Sequence, residues 1–528
     1  MKLSDSDLRQ LDKARVLGMQ PQHKDKLLIT LIDDLREARE RLGAHSQNSS
    51  RPPRTDSPWS STPDQEHQET TPPKQSTEID KSESTDEKTE GVKQTFQTSD
   101  STAKPSEATV KRKVGHQSHT PGHGRELTLP ISATQIHTPC NCAICGEALD
   151  AQHFFAHSGH YVLDIDITPN IGLAGIRVIH EKHLYGEIAC TCGHINCTEP
   201  GSCPDDPSWK KLPMNERSIV GSTLACFIVC MALRMRLSRR QIQEFLQDWL
   251  GIPLSTSTIN RCIHEAGRAV EPLEEKLVEE IREAALLHAD ETPWKEWGQL
   301  LWLWVIISPT VCLYLIGYRS QELLANLFGD QIKGWLMSDG YRVYRKYQNR
   351  LRCWAHVIRK AKGLTEAYDD EAINFGKQVK QWLEKLMQAI YQARESPPDT
   401  PLSVTYASEL EAFKQLCEKH RSSKHEKTRE LAGEFLNDWE AFWVVLVHPC
   451  LPLTNNEAER ALRHWVIARM ISQGTRTEQG TRAFGLLASV IETCRKRKIL
   501  PWPYLATVIA ERRKGNPAPA MASGVVAV

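Results

Sequence analysis

The spacing of hydrophobic positions changes several times along the chain, and each change marks a different kind of element. Near the N-terminus Leu28, Leu31, Leu35, Ala38 and Leu42 recur at alternating steps of three and four. This predicts a helix within residues 1–45, either a short coiled-coil seam or an ordinary amphipathic helix. The pattern then stops. From 46 to 125, as in "RPPRTDSPWSSTPDQEHQETTPPKQ", large apolar residues are scarce and Ser, Thr, Pro, Gln, Glu and Lys dominate, a composition that cannot offset the entropy of ordering and predicts a disordered linker. Helical periodicity returns over 211–278. Ser238 and Gln241 form an S-x-x-Q capping box ahead of "RRQIQEFLQDWLG", Gly251 suits the stop, and "STSTINRCIHEAG" places Ile259, Cys262, Ile263 and Ala266 on the inner face of a second helix.

From residue 286 the period shortens to that of strands. "LLHAD" is followed by "LLWLWVIIS" and "VCLYLIGY", two apolar runs separated by Ser-Pro-Thr, which predicts a hairpin. "SQELLANLFG" reads as a helix with Ser320 as its cap, "IKGWLMSDG" as a fourth strand, and "RLRCWAHV" as a fifth leading into a helix. Phe375, Val379, Trp382, Leu383, Leu386 and Ile390 then mark a long helical insertion over about 365–447.

Composition adds limits. At 528 residues the chain exceeds one compact core, so several domains are expected. Lys plus Arg equals Asp plus Glu at 66 each, so net charge neither announces nor excludes a nucleic-acid partner. No apolar run approaches the roughly 20 residues of a membrane span, and "MKLSDSDLRQ" lacks an apolar signal core, so a soluble cytoplasmic protein without membrane contact is expected. Fifteen cysteines, an odd count of which about half cluster between Cys140 and Cys203, favour reduced metal binding over disulfides.

Three groups of residues carry candidate chemistry. Cys142 and Cys145 before Gly146 have the CxxCG form of a zinc knuckle, whose turn brings two thiolates to one metal. Cys190 and Cys192 are the expected second pair, with His194, Cys197 and Cys203 close behind; some of these are equally explained as small core residues or free thiols. The helix pair over 238–266, whose second member opens with small polar residues and Arg261, resembles a helix-turn-helix, although most helix pairs only pack. Finally, Asp290 and Asp339 end the first and fourth strands. Three antiparallel strands, a helix and a further strand form the ribonuclease-H-like arrangement, in which strands one and four are neighbours and would bring these aspartates together across 49 positions. Mg²⁺, which takes oxygen ligands, makes sense of such a repelling pair. The helix "NNEAERALRHWVIARMIS" adds Glu457 and Glu459. Three carboxylates would hold two metals for phosphodiester chemistry. Each acid alone is as readily a helix cap or turn residue; their order on the right elements is the informative feature. His288 and His356 rank second.

"HADETPW", "MSDGYRVYRKY", "CWAHVIRK" and "NNEAERALRHWVIARMISQGTRTEQGTRAFGLLASVIETCRKRKILPWPYL", with the CxxCG region, resemble the insertion sequence 66 family of bacterial transposases over roughly Cys140 to Leu505. The resemblance implies a DDE transposase on a ribonuclease-H-like fold, with Asp290, Asp339 and Glu459 as the acids and Glu457 set aside. The second cysteine pair departs from the family's CxxC, and the linker is long. Arg460, Arg463 and Arg469 after the glutamate, with Arg261, are expected to meet DNA phosphates, against the plainer reading of a solvated helix face.

The expected organisation is a multidomain α/β chain: a helical or coiled-coil segment (1–45), a linker (46–125), a zinc ribbon (126–210), a helix-turn-helix-like segment (211–278), a ribonuclease-H-like catalytic domain (279–510) and a flexible tail (511–528). The expected function is Mg²⁺- or Mn²⁺-dependent cutting of element ends and joining of 3′ hydroxyls to target DNA, with structural Zn²⁺. Expected partners are terminal-repeat and target DNA, further copies of the chain, and accessory proteins of the same element, in the bacterial cytoplasm at the nucleoid. The alternatives are a DNA-binding regulator without catalysis and a hydrolytic nuclease using the same site.

Overall fold

A computed structural model describes residues 13–42, 129–167, 175–198 and 219–522, with Leu3 and Leu11 besides. The expected linker, Cys203 and residues 523–528 lie outside the described residues. The N-terminal periodicity becomes helix α1 (Pro21–Leu42). Its Leu28, Ile29 and Leu35 stay more than half exposed, while Glu40 reaches His425 at 3.3 Å and accepts from the Tyr368 amide at 3.1 Å.

A first mixed sheet follows. Strand β1 (Ala133–His137) runs parallel to β3 (Arg177–Ala189), and β2 (Phe155–Asp166) and β4 (Ile195–Cys197) pair antiparallel with β3. Helices α2 (Ser222–Val229), α3 (Arg239–Leu250), α4 (Thr256–Val270) and α5 (Glu274–Glu283) come next. The capping box forms as its sequence predicts: Ser238 Oγ accepts from the Gln241 amide at 3.2 Å, and Gln241 Oε1 accepts from the Ser238 amide at 2.9 Å. Gly251 at φ 63° ends α3 in the left-handed conformation that glycine adopts without penalty.

The second sheet has the order β7-β6-β5-β8-β9. Strands β5 (Leu286–Glu296), β6 (Gln299–Ile307) and β7 (Cys312–Gly317) form the antiparallel meander, and Ser308 Oγ closes the β6–β7 turn by accepting from the Thr310 and Val311 amides. Helix α6 (Gln321–Phe328) crosses back to β8 (Trp335–Ser338), parallel to β5, with β9 (Arg350–Arg352) parallel outside it. Ser320 stands at the N-cap of α6, but its side chain makes no capping bond. Helix α7 (Trp354–Thr365) follows β9, and the insertion comprises α8 (Asp370–Glu395), α9 (Ala407–His420) and α10 (Glu426–Asn437); Phe375, Val379, Leu383, Leu386 and Ile390 of its stripe are fully buried and Trp382 is half-buried. Helices α11 (Asn456–Ser472), α12 (Glu478–Lys496) and α13 (Pro501–Lys514) complete the chain. Residues 511–514, placed by sequence at the start of a tail, finish α13; Met521 beyond it is buried, and its carbonyl accepts from Arg497.

Among the described residues two hydrophobic cores result. One joins α2–α5 with β5–β7, α11–α13, Leu163 and Ile165 of β2 and Leu336 of β8; the other joins Met337 of β8, β9, α7 and the insertion. The α4–α12 contact is close, since a Cβ at Gly267 would lie 2.6 Å from that of Ala483. Edge strand β7 is covered by α12: Ser489 Oγ accepts from the Tyr314 amide at 2.8 Å and Thr493 Oγ1 from the Cys312 amide at 3.1 Å. Buried helical hydroxyls thus satisfy an edge that would otherwise need another strand or water. Thr493→Val keeps shape and removes that acceptor, so it is expected to cost about 1–3 kcal/mol, read as a lower denaturant midpoint at unchanged slope.

Candidate functional site

The β5–β8 register brings the two aspartates together. Leu286, Leu287 and His288 pair with Trp335, Leu336 and Met337, and the same offset continued two residues further sets Asp339 beside Asp290. Burial first, then the charges of Asp339, Glu291 and Glu459, push the Asp290 carboxyl well above the usual carboxylate range.

Each acid is held by its own neighbours. Asp339 Oδ1 accepts from the Tyr341 amide at 2.9 Å. The Tyr341 ring and Trp302 sandwich the Arg319 guanidinium at 3.8 and 4.2 Å, and Arg319 donates to Glu291 Oε1 at 3.0 and 2.6 Å. Tyr344 donates to Glu291 Oε2 at 2.7 Å. Glu291 therefore has its own cation and hydroxyl, whereas no arginine or lysine forms an ion pair with Asp290 or Asp339 among the described residues. Gly340, directly after Asp339, leaves room for the Arg352 guanidinium, whose nitrogens would lie 2.8 and 2.9 Å from an added Cβ.

Glu459 lies on the first turn of α11 and reaches Arg359 at 3.3 Å and His356 Nε2 at 3.7 Å. Its charge reaches Asp290, but its closest assembly of possible metal ligands is with Cys353 and His356, their ligand atoms lying within 4.8 Å of one another. Glu457 turns away and pairs with Lys496 at 3.0 Å. Burial, then Arg359, pushes the His356 imidazole down.

Asn455 is a residue whose role the sequence concealed. An Asn at a helix start signals a cap, and Asn455 is at the N-cap of α11, yet it makes no capping bond. Its fully buried side chain turns toward β5: Nδ2 donates to Ala289 O at 2.8 Å and Oδ1 accepts from His288 Nδ1 at 3.1 Å. Its amide donates to Cys353 Sγ at 3.2 Å, and its carbonyl accepts from the Glu459 amide at 3.2 Å. One residue therefore ties the glutamate helix to the strand carrying Asp290. Asn455→Ala orphans both partners on β5 and is expected to cost about 1–3 kcal/mol in thermal melts.

Of the expected polyanion contacts, Arg261, Arg460 and Arg463 are exposed, while Arg469 donates to Thr292 Oγ1 at 2.8 Å and to the Pro293 carbonyl. Arg482 is held by Glu271 and Glu274, and Arg497 by Glu280, so these are structural ions.

Away from the acids, the first sheet gathers four thiols. Cys142 and Cys192 Sγ atoms lie 3.7 Å apart, those of Cys145 and Cys190 3.5 Å apart, and all four fall within 4.8 Å. Both turns are built alike. Gly146 at φ 74° donates to Cys142 O, and Gly193 at φ 84° donates to Cys190 O one residue sooner, so the shorter CxC still returns both thiols to the centre. His194, Cys197 and Cys140 stand outside the cluster.

Asp290 does not end its strand as its sequence suggested: β5 continues through Pro293 to Glu296 because the hairpin with β6 extends that far, and only Asp339 follows a strand end, that of β8. Paired carboxylates of this kind suit a phosphate-bearing substrate. Residues 217–483 match the transposase IS66 family, half of the chain, and the protein belongs to that family. It is 24% identical over 316 residues to the uncharacterized protein y4qI of Sinorhizobium fredii, which covers 53% of this chain and 57% of that protein. It is 33% identical over 93 residues to the uncharacterized protein y4hP of the same organism, covering 18% of this chain and 17% of that one. The chain thus spans little more than half the length of y4qI. Among the described residues no helix is long and apolar enough to cross a membrane.

Proposed function

We propose that the protein is a DNA transposase that cuts the ends of its element and joins their 3′ hydroxyls to target DNA. The observation that carries this is the β5–β8 register, which sets Asp290 beside Asp339 within a family of transposases. The strand order, with an antiparallel meander followed by parallel β8 and β9, supports a ribonuclease-H-like catalytic domain over 279–510. The hard oxygen donors of Asp290, Asp339 and Glu459 fit Mg²⁺ or Mn²⁺. Two such ions would activate the attacking oxygen and stabilise the leaving one.

The chain's own groups prepare that chemistry. Tyr341 orients Asp339, and Asn455 fixes the approach of Glu459 to the Asp290 strand. Arg359 and His356 hold the Glu459 carboxylate until a cation competes for it. Arg460, Arg463 and Arg469 neutralise backbone phosphates, and Arg261 does so from the helix-turn-helix-like pair over 211–278. The four-cysteine cluster fits a structural Zn²⁺, since thiolates 2.3 Å from one tetrahedral centre lie about 3.8 Å apart. Synapsis of two ends calls for at least two copies, for which the exposed apolar face of α1 is available, and places the protein at the nucleoid.

The test incubates the full chain with DNA from the borders of its element, in Mg²⁺ and in EDTA. Joined products that require Mg²⁺ are expected. Nicked ends without joining would identify a nuclease, and binding without cleavage, accessory proteins included, a regulator.

A further inference from the structure

A cluster of cationic groups without acids lies away from the carboxylates, in a cavity of about 470 Å³ between the helix pair and the end of α11. Arg236, Arg239 and Arg476 line it, with Asn260 and His264, and no carboxylate contributes to its wall. Among the described residues none of the three arginines has an acidic partner. Arg239 is the most telling, because its guanidinium is partly buried and its one hydrogen bond is a long 3.4 Å contact to Asn260 Oδ1. Burial alone pushes its pKa down, with no negative charge pulling it back. A buried cation is normally paired, so a wall of this kind is incomplete without an anion.

The backbone adds to the same field. Helices α3 and α12 both begin at the cavity, through Ser238 and Thr477, so two positive helix ends face the arginines. Arg236 takes a left-handed φ of 62°, a conformation that side chains other than glycine adopt rarely, at the turn that aims it there.

The cavity also lies in line with the acids. Asp290, Thr292 and Trp294 alternate onto one face of β5, and Trp294 forms part of the cavity floor about 13 Å from Asp290. Arg469 occupies the interval by donating to Thr292 Oγ1, and Trp294 Nε1 donates to Thr475 Oγ1, next to Arg476. Gly474 makes this approach possible, since a Cβ there would lie 2.0 Å from Lys295 O.

We infer that this cavity is a phosphodiester site, in which Arg236, Arg239 and Arg476 hold the backbone of the same DNA strand whose reacting phosphate lies at Asp290 and Asp339. The inference rests on the transposase reading and extends it: the strand leaves the acids along β5, passes Arg469 and is gripped a few nucleotides away. Grip there fixes where on the strand the reacting phosphate falls.

The experiment measures affinity of the full chain for fluorescein-labelled element-end DNA by anisotropy across a KCl series. Wild type, Arg239→Ala, Arg239→Lys and Arg476→Ala are compared, with Asp339→Asn as the chemistry control. Each alanine variant is expected to bind about tenfold more weakly and to lose about 0.7–0.9 from the slope of log K against log salt, the signature of one phosphate contact. Arg239→Lys should retain the slope, and Arg476 is exposed, so its substitution leaves packing intact. A single neutral methylphosphonate at the gripped position should reproduce the loss in wild type and add nothing to Arg239→Ala. Unchanged slopes in variants that still bind and cut DNA overturn the site while leaving the transposase standing. Arginine-dependent slopes in a wild type that never cuts support the site and remove the transposase. If ATP or inorganic phosphate binds in an arginine-dependent way while the DNA slopes do not move, the ligand is a small phosphate and the strand assignment falls.

Discussion

Asp339→Asn is expected to reduce cleavage and joining by at least about 10³-fold while leaving affinity for element-end DNA within about twofold of wild type. The substitution is nearly isosteric, and an amide oxygen can still accept from the Tyr341 amide, so the turn after β8 should persist. What disappears is one negative charge beside Asp290. That charge is the second cause, after burial, of the upward push on the Asp290 carboxyl, so the variant should relieve repulsion in metal-free protein. Its melting temperature in EDTA should therefore equal or exceed that of wild type, whereas the rise that Mg²⁺ gives wild type should vanish. Thermal melts with and without Mg²⁺, run beside the cleavage assay, check both parts. A variant that loses activity and also melts several degrees lower would place Asp339 in the scaffold and not in the chemistry.

Removing the zinc proposed for the cysteine cluster should have an equally large effect on another part of the chain. Structural zinc contributes apparent free energies of about 10–16 kcal/mol in small domains, which exceeds or equals the typical stability of a domain. The first sheet has few alternative sources of stability near its thiol end, where Ala143 is tied to Asn196 at 2.9 Å and the two glycine turns meet. Cys145→Ser and Cys190→Ser are each expected to drop zinc from one ion per chain to none and to open residues 133–198 to trypsin. The core of residues 219–522 should keep its own melting transition. Cys140→Ser and Cys197→Ser should retain the metal, because both stand outside the cluster. Zinc content by elemental analysis decides the matter, and loss of metal from Cys197→Ser would show that the four-thiol assignment is wrong.

Much of the site was legible one residue at a time. The strand carrying Asp290, the strand before Asp339 and the CxxCG turn follow local rules of period and turn chemistry, although β5 runs on past Asp290 to Glu296; the choice of Glu459 over Glu457 came from the family resemblance and not from local pattern. The CxC pair was harder, since one-residue spacing breaks the usual knuckle pattern. Only the hydrogen bond of Gly193 to Cys190 shows that a tighter turn achieves the same convergence. Asn455 was invisible for the opposite reason. Its sequence context has a satisfying local explanation as a cap, and nothing local reveals that the side chain turns inward to a strand more than 160 positions earlier. Arg482 and Arg497 show the same limit, because a basic residue on a helix looks alike whether it awaits a phosphate or is already matched by Glu271, Glu274 or Glu280.

By itself, the sequence determined the periods of its strands and helices, their order, and the elements on which the candidate acids and thiols sit, because these depend on neighbours within a few residues. The tertiary structure decided which of those ends meet. Pairing of β5 with β8 set two like charges side by side, packing of α4 on α12 joined the helix pair to the core of the second sheet, and a shared cavity collected three arginines without acids. Each outcome depends on contacts between residues far apart in the chain, whose energies local patterns do not encode.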